Sequence, residues 1–428
     1  MISLSKTLPI LLYGLPAGML ALSPFSSRAM NLTWIALFSS VAILFALRYG
    51  FQRRRDFMAA TTPAAQLLAL FFSAGFLIKL LVQWHWGVPG QEISFELNAM
   101  VAAFVALAVS RLRLEELPQA IAWLALMVFA ALALKTAIGL SLDAHLSLPT
   151  NAVNWSAGLA LMLCICAGFV FSHRPGSAGW YLMMVAVILL VLAVFISSKR
   201  GSYFAIFWVV ILGVSSVLRI PKSSAGWRRL YFPVFGVLLL LSTIAWLNPG
   251  LIKQPVERLM SATREASKFV AAAGDEDFLP KGSMDTRLYI YRQAIHQIGD
   301  HPLLGIGLQD KQELVHSIEQ RLQVPLFHLH SESLDAWVAY GLPGLVSALM
   351  FPLGLIVAGW RLRNINLGTA LMLTGAGLSH FFSGLSNVNT FHNYYQTMFA
   401  LAVVLPILMA PLAVRRGDIK SVTSPARN

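Results

Sequence analysis

Cysteine is almost absent: Cys164 and Cys166 are the two in 428 residues, both inside the apolar run LMLCICAG, so no disulfide framework is available. Positions two apart on a helix diverge by about 200°, which excludes a metal pair and leaves both as small buried hydrophobes. Charge is scarce too, at 12% of residues. No P-loop is present, which removes the usual phosphate cradle of a nucleotide-driven machine. Internal repeats are lacking, and low-complexity sequence is confined to the last dozen polar residues.

What fills the chain is apolar side chain, 57% of residues with a mean hydropathy of +0.68, in stretches of about 20 residues that recur along its length. This describes an all-α polytopic membrane protein. Spans are predicted near 7–24, 32–49, 64–84, 94–110, 118–140, 153–172, 177–198, 202–218, 230–247, 333–358, 366–384 and 395–412. Twelve spans put both termini on one side. The first follows Lys6 and has the look of a signal sequence, but a chain built almost wholly of spans is expected to keep it uncleaved.

Orientation follows from the cations in short connections. Eighteen Lys and Arg fall in one alternating set, among them Arg53, Arg54 and Arg55, then Arg228 and Arg229, then Arg415 and Arg416. The short connections of the other set hold only Arg28, Lys199 and Arg200. The first set is therefore cytoplasmic, and it accounts for most of the net charge of +13 without nucleic acid as a partner. The expected organisation is spans one to nine over 1–248, an external helical loop domain over 249–332, spans ten to twelve over 333–413, and a cytoplasmic tail over 414–428.

Lys199 and Arg200 stand out, since external positive charge has no topological use. They either snorkel at a helix end or face outward as an anion site, a task that suits the bidentate guanidinium. In the external domain, KQPVERLMSATREASKFVAA, MDTRLYIYRQAIHQI and DKQELVHSIEQRLQ read as helices, the second ended by Gly299 and Pro302. Arg287 falls near the start of that second helix, after Ser283 and Asp285, where the dipole opposes a cation by about 0.3–1 kcal/mol. It is either a solvated partner of Asp285 or shares a bound anion with the free amides of the helix start.

The segment FHLHSESLDAW places His328, His330, Glu332 and Asp335 directly before the tenth span. If extended, His328, His330 and Glu332 point one way, the arrangement of a zinc site. Interfacial polarity and a general base are the other readings. Asp275, Glu276 and Asp277 form a D-x-D pattern, but in a turn-rich context without apolar support they read as a solvated loop.

Three stretches together resemble one family. SSKRGSYFAIF is similar to an S-R-G pattern at the external end of a span; TRLYIYRQAIHQIGDHPLLGIGL to an R-x-x-x-[WY]-x-x-A-x-x-I-x-x-x-P-x-x-G-x-G block; and HLHSESLDAWVAYGLPGL to an H-N-x-x-L-x-x-x-x-x-x-G-x-x-G segment. They occur in the order found in the O-antigen ligase and polymerase superfamily, and the resemblance covers about residues 150–400. Ser331 stands where the family has Asn.

The resemblance implies a GT-C-like glycosyltransferase in the Gram-negative inner membrane, among membrane lipids. Such an enzyme transfers a glycan from undecaprenyl diphosphate to an acceptor hydroxyl on the periplasmic face. It implies His330 as catalytic base and Arg200, Arg287 and Lys199 as diphosphate ligands, with His328, Glu332 and Asp335 as further candidates. Neither cofactor nor metal is expected. Oligosaccharyltransferases of the family carry extra sequence after the last span, and polymerases a second large loop with an R-x10-G pattern. The expectation is therefore an O-antigen ligase with lipid A-core as acceptor. Polymerase, protein O-oligosaccharyltransferase and, more distantly, a transporter using Lys79 and Lys135 are the alternatives. The oligomeric state is left open, a monomer being compatible.

Overall fold

A computed structural model describes residues 62–111, 119–141, 148, 150–172, 177–197, 199–219 and 283–422, with isolated positions between 253 and 267. The predicted spans 7–24, 32–49 and 230–247 and the acidic loop at Asp275, Glu276 and Asp277 lie outside the described residues.

The regular elements among the described residues are all helices, without strands. In chain order the helices are α1 (Thr62–His85), α2 (Ser94–Arg111), α3 (Gln119–Ser141), α4 (Ala152–Ser172), α5 (Ala178–Ile196) and α6 (Tyr203–Arg219). After the gap come α7 (Ser283–Asp300), α8 (Gly307–Leu322), α9 (Glu332–Leu362), α10 (Leu367–Gly384) and α11 (Asn393–Val422). Two 3-10 turns, Arg200–Ser202 and Asn389–Phe391, precede α6 and α11.

Apolar residues on every side mean a helix must be enclosed by protein or by lipid. α4 takes the first option: it is buried along almost its whole length, packed by α5, α6, α10 and α11. α9 lies across α1 and α10. Among the described residues, α1, α4, α5 and α9 contain stretches long and apolar enough to cross a membrane. Helix starts follow side-chain chemistry: Ser177 accepts from the Trp180 amide at 3.1 Å, and Asn366 from the Thr369 amide at 3.1 Å.

The tenth predicted span, 333–358, is not one straight helix. Gly341 adopts φ +64°, ψ −156° inside α9, so a short first segment joins a long second one at a kink. Here two sequence blocks meet backbone to backbone. The Ile306 amide donates to the Val338 carbonyl at 2.9 Å, and the Leu342 amide to the Pro302 carbonyl at 3.0 Å. A side chain on Gly341 would run into the Leu303 carbonyl, and one on Gly305, also at positive φ, into the Val338–Gly341 backbone. Only glycine permits both the conformation and the approach.

The described helices of residues 249–332 sit on this kinked end. α7 and α8 pack on α9 through Ile290, Ala294, Val315, Ile318, Leu329 and Val338. Gly299 does not end α7, which runs one residue past it to Asp300; a single glycine costs a helix only about 1 kcal/mol. The histidine segment enters α9 from beneath these two helices, so the domain fixes where His330 stands.

Candidate functional site

The segment Phe327–Ser331 is not an extended strand, because His330 takes a left-handed conformation with φ +55°. Such a conformation costs a residue with Cβ about 1–3 kcal/mol, and three contacts hold it. The His330 amide donates to His328 Nδ1 at 3.2 Å; the Leu329 amide donates to Asp335 Oδ1 at 3.1 Å; and the Tyr291 hydroxyl lies 2.9 Å from the His330 carbonyl oxygen. An accepting Nδ1 leaves the proton of neutral His328 on Nε2. The two imidazoles meet edge to face, centroids 4.8 Å apart. The turn at His330 breaks the one-sided alignment that a zinc site needed, and among the described residues no three His, Cys, Asp or Glu side chains gather as a metal site.

His330 Nδ1 is buried and has no hydrogen-bond partner within the protein. Burial is the main cause that pushes the His330 pKa down, to about 4, helped by the neighbouring charges of His328 and Arg287 and opposed by Asp335. Burial also lowers His328. At neutral pH His330 is an uncharged imidazole with a free lone pair.

Arg287 is half-buried at the end of the first turn of α7, one turn before Tyr291. Its charge acts on both His330 and Tyr291, so it belongs electrostatically to this site. Arg200 opens the 3-10 turn between α5 and α6, a turn that packs on α4 and α10. Lys199 is partly buried at its start, its carbonyl accepting from the Ser202 amide at 3.1 Å. The glycine of this motif is a contact glycine, since a side chain on Gly201 would strike the Ser386 hydroxyl.

One segment touches all three motifs, and sequence reasoning passed over it. Between Ser383 and Phe391 the chain leaves α10 and turns back. Gly201 packs on Ser386; the Tyr291 hydroxyl lies 2.8 Å from the Leu385 carbonyl oxygen; and Glu332 accepts from the Thr390 amide at 3.0 Å. Buried amides brace it: Asn387 donates to Asn154 and to Asn389, each at 2.9 Å, and Asn389 to Ser383 at 3.0 Å. The stretch GLSNVNTF reads in sequence as an ordinary span end, and its four polar residues are the one local signal of a buried network.

A family model described as O-antigen ligase matches residues 185–349, which include Arg200, Arg287 and His330. The matched stretch, less than half of the chain, is similar to that family. No curated protein matches the chain. Together with this likeness, the four helices long and apolar enough to cross a membrane describe a multi-pass membrane protein.

The segment that carries His330 is anchored by an ion pair that the pattern did not reveal. Lys311 on α8 is 2% exposed and lies 2.8 Å from Asp335 Oδ2, with Glu92 at 3.8 Å. Burial alone would lower the Lys311 pKa, but Asp335 and Glu92 outweigh it and the net shift is upward, so the pair is charged. Asp335 is thus engaged on both oxygens, which makes it a holder of the loop rather than a free base. The variant Lys311→Met strands a buried carboxylate and is expected to cost about 3–5 kcal/mol of stability. Denaturant unfolding in detergent measures this, and the double variant Lys311→Met/Asp335→Leu should recover much of the loss.

Proposed function

We propose that the protein is an O-antigen ligase that joins O-antigen polysaccharide from undecaprenyl diphosphate to a sugar hydroxyl of lipid A-core on the periplasmic face. The twelve-span frame of the sequence reading, with a GT-C-like arrangement, both termini cytoplasmic and residues 249–332 as the periplasmic domain, belongs to the same proposal. The observation that carries it is the meeting of the three motifs on Ser383–Phe391, with His330 Nδ1 buried and unpartnered beside the charge of Arg287.

In the proposed reaction the acceptor oxygen attacks the anomeric carbon as the bond from that carbon to the phosphate oxygen breaks. The diphosphate leaves with the electron pair, and the hydroxyl proton passes to His330. Direct displacement inverts the anomeric centre. The difficult charge is the one on the departing oxygen, which preorganised cations stabilise. Arg200 and Arg287 take that part with Lys199 in support, and neither metal nor nucleotide enters.

Gene deletion tests the acceptor. A ligase predicts lipopolysaccharide without O-antigen and accumulated lipid-linked glycan. Loss of long chains with one repeat retained would make the protein a polymerase instead.

A further inference from the structure

Beside the histidine segment lies a cavity walled by Glu92, α1, α2, both sides of the α9 kink, His380 and the Val388–Phe391 turn. Its free volume is about 70 Å³, several times the roughly 10–15 Å³ that one water needs. The arginine turn packs on α4, on α10 and on Ser386. The histidine segment borders the cavity directly, because Glu332 and Asp335 line it and Phe391, also in its wall, stacks on His328 with planes 5° apart.

The lining is rich in carboxylates: Glu92, Glu96, Glu332 and Asp335, against Lys79 as the lining lysine. Three have internal partners. Asp335 holds Lys311, Glu332 accepts from the Thr390 amide, and Glu92 lies 3.8 Å from Lys311. Glu96 is different. Its side chain is 9% exposed, Oε1 lies 2.7 Å from Lys79 Nζ, and Oε2 is buried with no hydrogen-bond partner within the protein. A buried carboxylate oxygen without a donor is costly, and this one belongs to a residue that lines an open cavity.

With its acids answered by Lys79 and Lys311, the cavity has no surplus of positive charge to offer a diphosphate. It suits hydroxyl or amino groups, which donate strong hydrogen bonds to carboxylates. Phe95, Phe351 and Phe391 add the apolar faces against which the C–H side of a ring can lie. We propose that this cavity seats one sugar ring of a glycan substrate, with Glu96 Oε2 accepting from a ring hydroxyl or amino group. The proposal rests on the glycan-transferase reading and gives that reading a second subsite, separate from the diphosphate. The ring is either the acceptor sugar of lipid A-core or the first sugar of the donor glycan.

Native mass spectrometry of the full-length protein in detergent separates these cases. The probes are lipid A-core without O-antigen, undecaprenyl-diphosphate glycan, and sugar-free undecaprenyl diphosphate. The variants are Glu96→Gln, which removes the charge, and Ala348→Phe, which fills the cavity without touching a charge; Ala348→Leu is the milder substitute. Each variant is expected to weaken one glycan-bearing probe by about 10- to 100-fold while holding undecaprenyl diphosphate within about twofold, which also reports that the protein is folded. Loss confined to lipid A-core assigns the acceptor ring, and loss confined to the donor glycan assigns the donor ring. Wild-type binding of both glycan lipids by the cavity-filled variant overturns the pocket alone. Failure of the wild type to bind either overturns the transferase reading itself.

Discussion

Replacing His330 with alanine is expected to cut glycan transfer by about 10²- to 10⁴-fold, the usual worth of a positioned general base, while binding of undecaprenyl diphosphate survives. The expectation rests on three properties of one residue: a held left-handed backbone, a buried Nδ1 without a partner, and a neutral ring at pH 7. His328→Ala should lose less, because His328 Nδ1 already accepts from the His330 amide and serves to shape the segment.

The pH dependence carries a signature that simple loss of activity lacks. The sequence alone suggests a fall in rate near pH 6.5, the ordinary histidine value. Burial and the Arg287 charge lower the His330 pKa to about 4. Only the neutral ring accepts a proton, so kcat/KM, which reports the free enzyme, should stay level from pH 7 downward and fall as pH drops through about 4. Bound diphosphate adds negative charge beside Arg287 and favours the protonated ring, so kcat should fall at a higher pH than kcat/KM. Identical profiles for wild type and His330→Ala would remove the residue from proton transfer.

Arg200→Ala and Arg287→Ala are each expected to lower transfer by about 10²- to 10³-fold, the range seen when one preorganised electrostatic donor is removed. Arg287 sits within the electrostatic environment of His330, and the Arg200 turn packs on the same Ser383–Phe391 segment that meets Tyr291 and Glu332. Lysine at either position should recover only part of the loss, since a point charge cannot reproduce a two-point grip on phosphate oxygens. Tyr291 offers a control on the same helix face. Burial raises its pKa to about 12, so it remains a protonated donor, and Tyr291→Phe should disturb the histidine segment without removing charge. Full activity in either arginine variant would return that residue to a plain membrane anchor.

The nine predicted spans that fall on described residues coincide with helices to within a few residues at most ends, because long apolar runs have few other structures open to them. α11 is the exception: it begins two residues before its predicted span and runs ten past it, to Val422. Local reading failed where a contact crosses long sequence separations. Lys311 lies in DKQELVHSIEQRLQ, a stretch that reads only as a further helix, and its partner Asp335 is 24 residues on. The left-handed turn at His330 leaves no mark in composition, and one of the three contacts that hold it comes from Tyr291, 39 residues away. Glu96 drew no notice in the sequence, and Lys79 read as a snorkelling cation or a transport residue. Their pairing at 2.7 Å beside a cavity shared with Glu332 is a tertiary fact. Glycines were the converse case: their spacing in LLGIGL and YGLPGL drew attention, and backbone-to-backbone contact between the two blocks explains it.

The central claim is tested most directly by mixing purified protein with undecaprenyl-diphosphate glycan and lipid A-core in EDTA, without nucleotide or a membrane gradient. The account predicts glycan-extended lipid A-core and released undecaprenyl diphosphate in equal amounts, with the new linkage inverted at the anomeric carbon. No transfer under these conditions, or transfer that appears only with added magnesium or ATP, would contradict it.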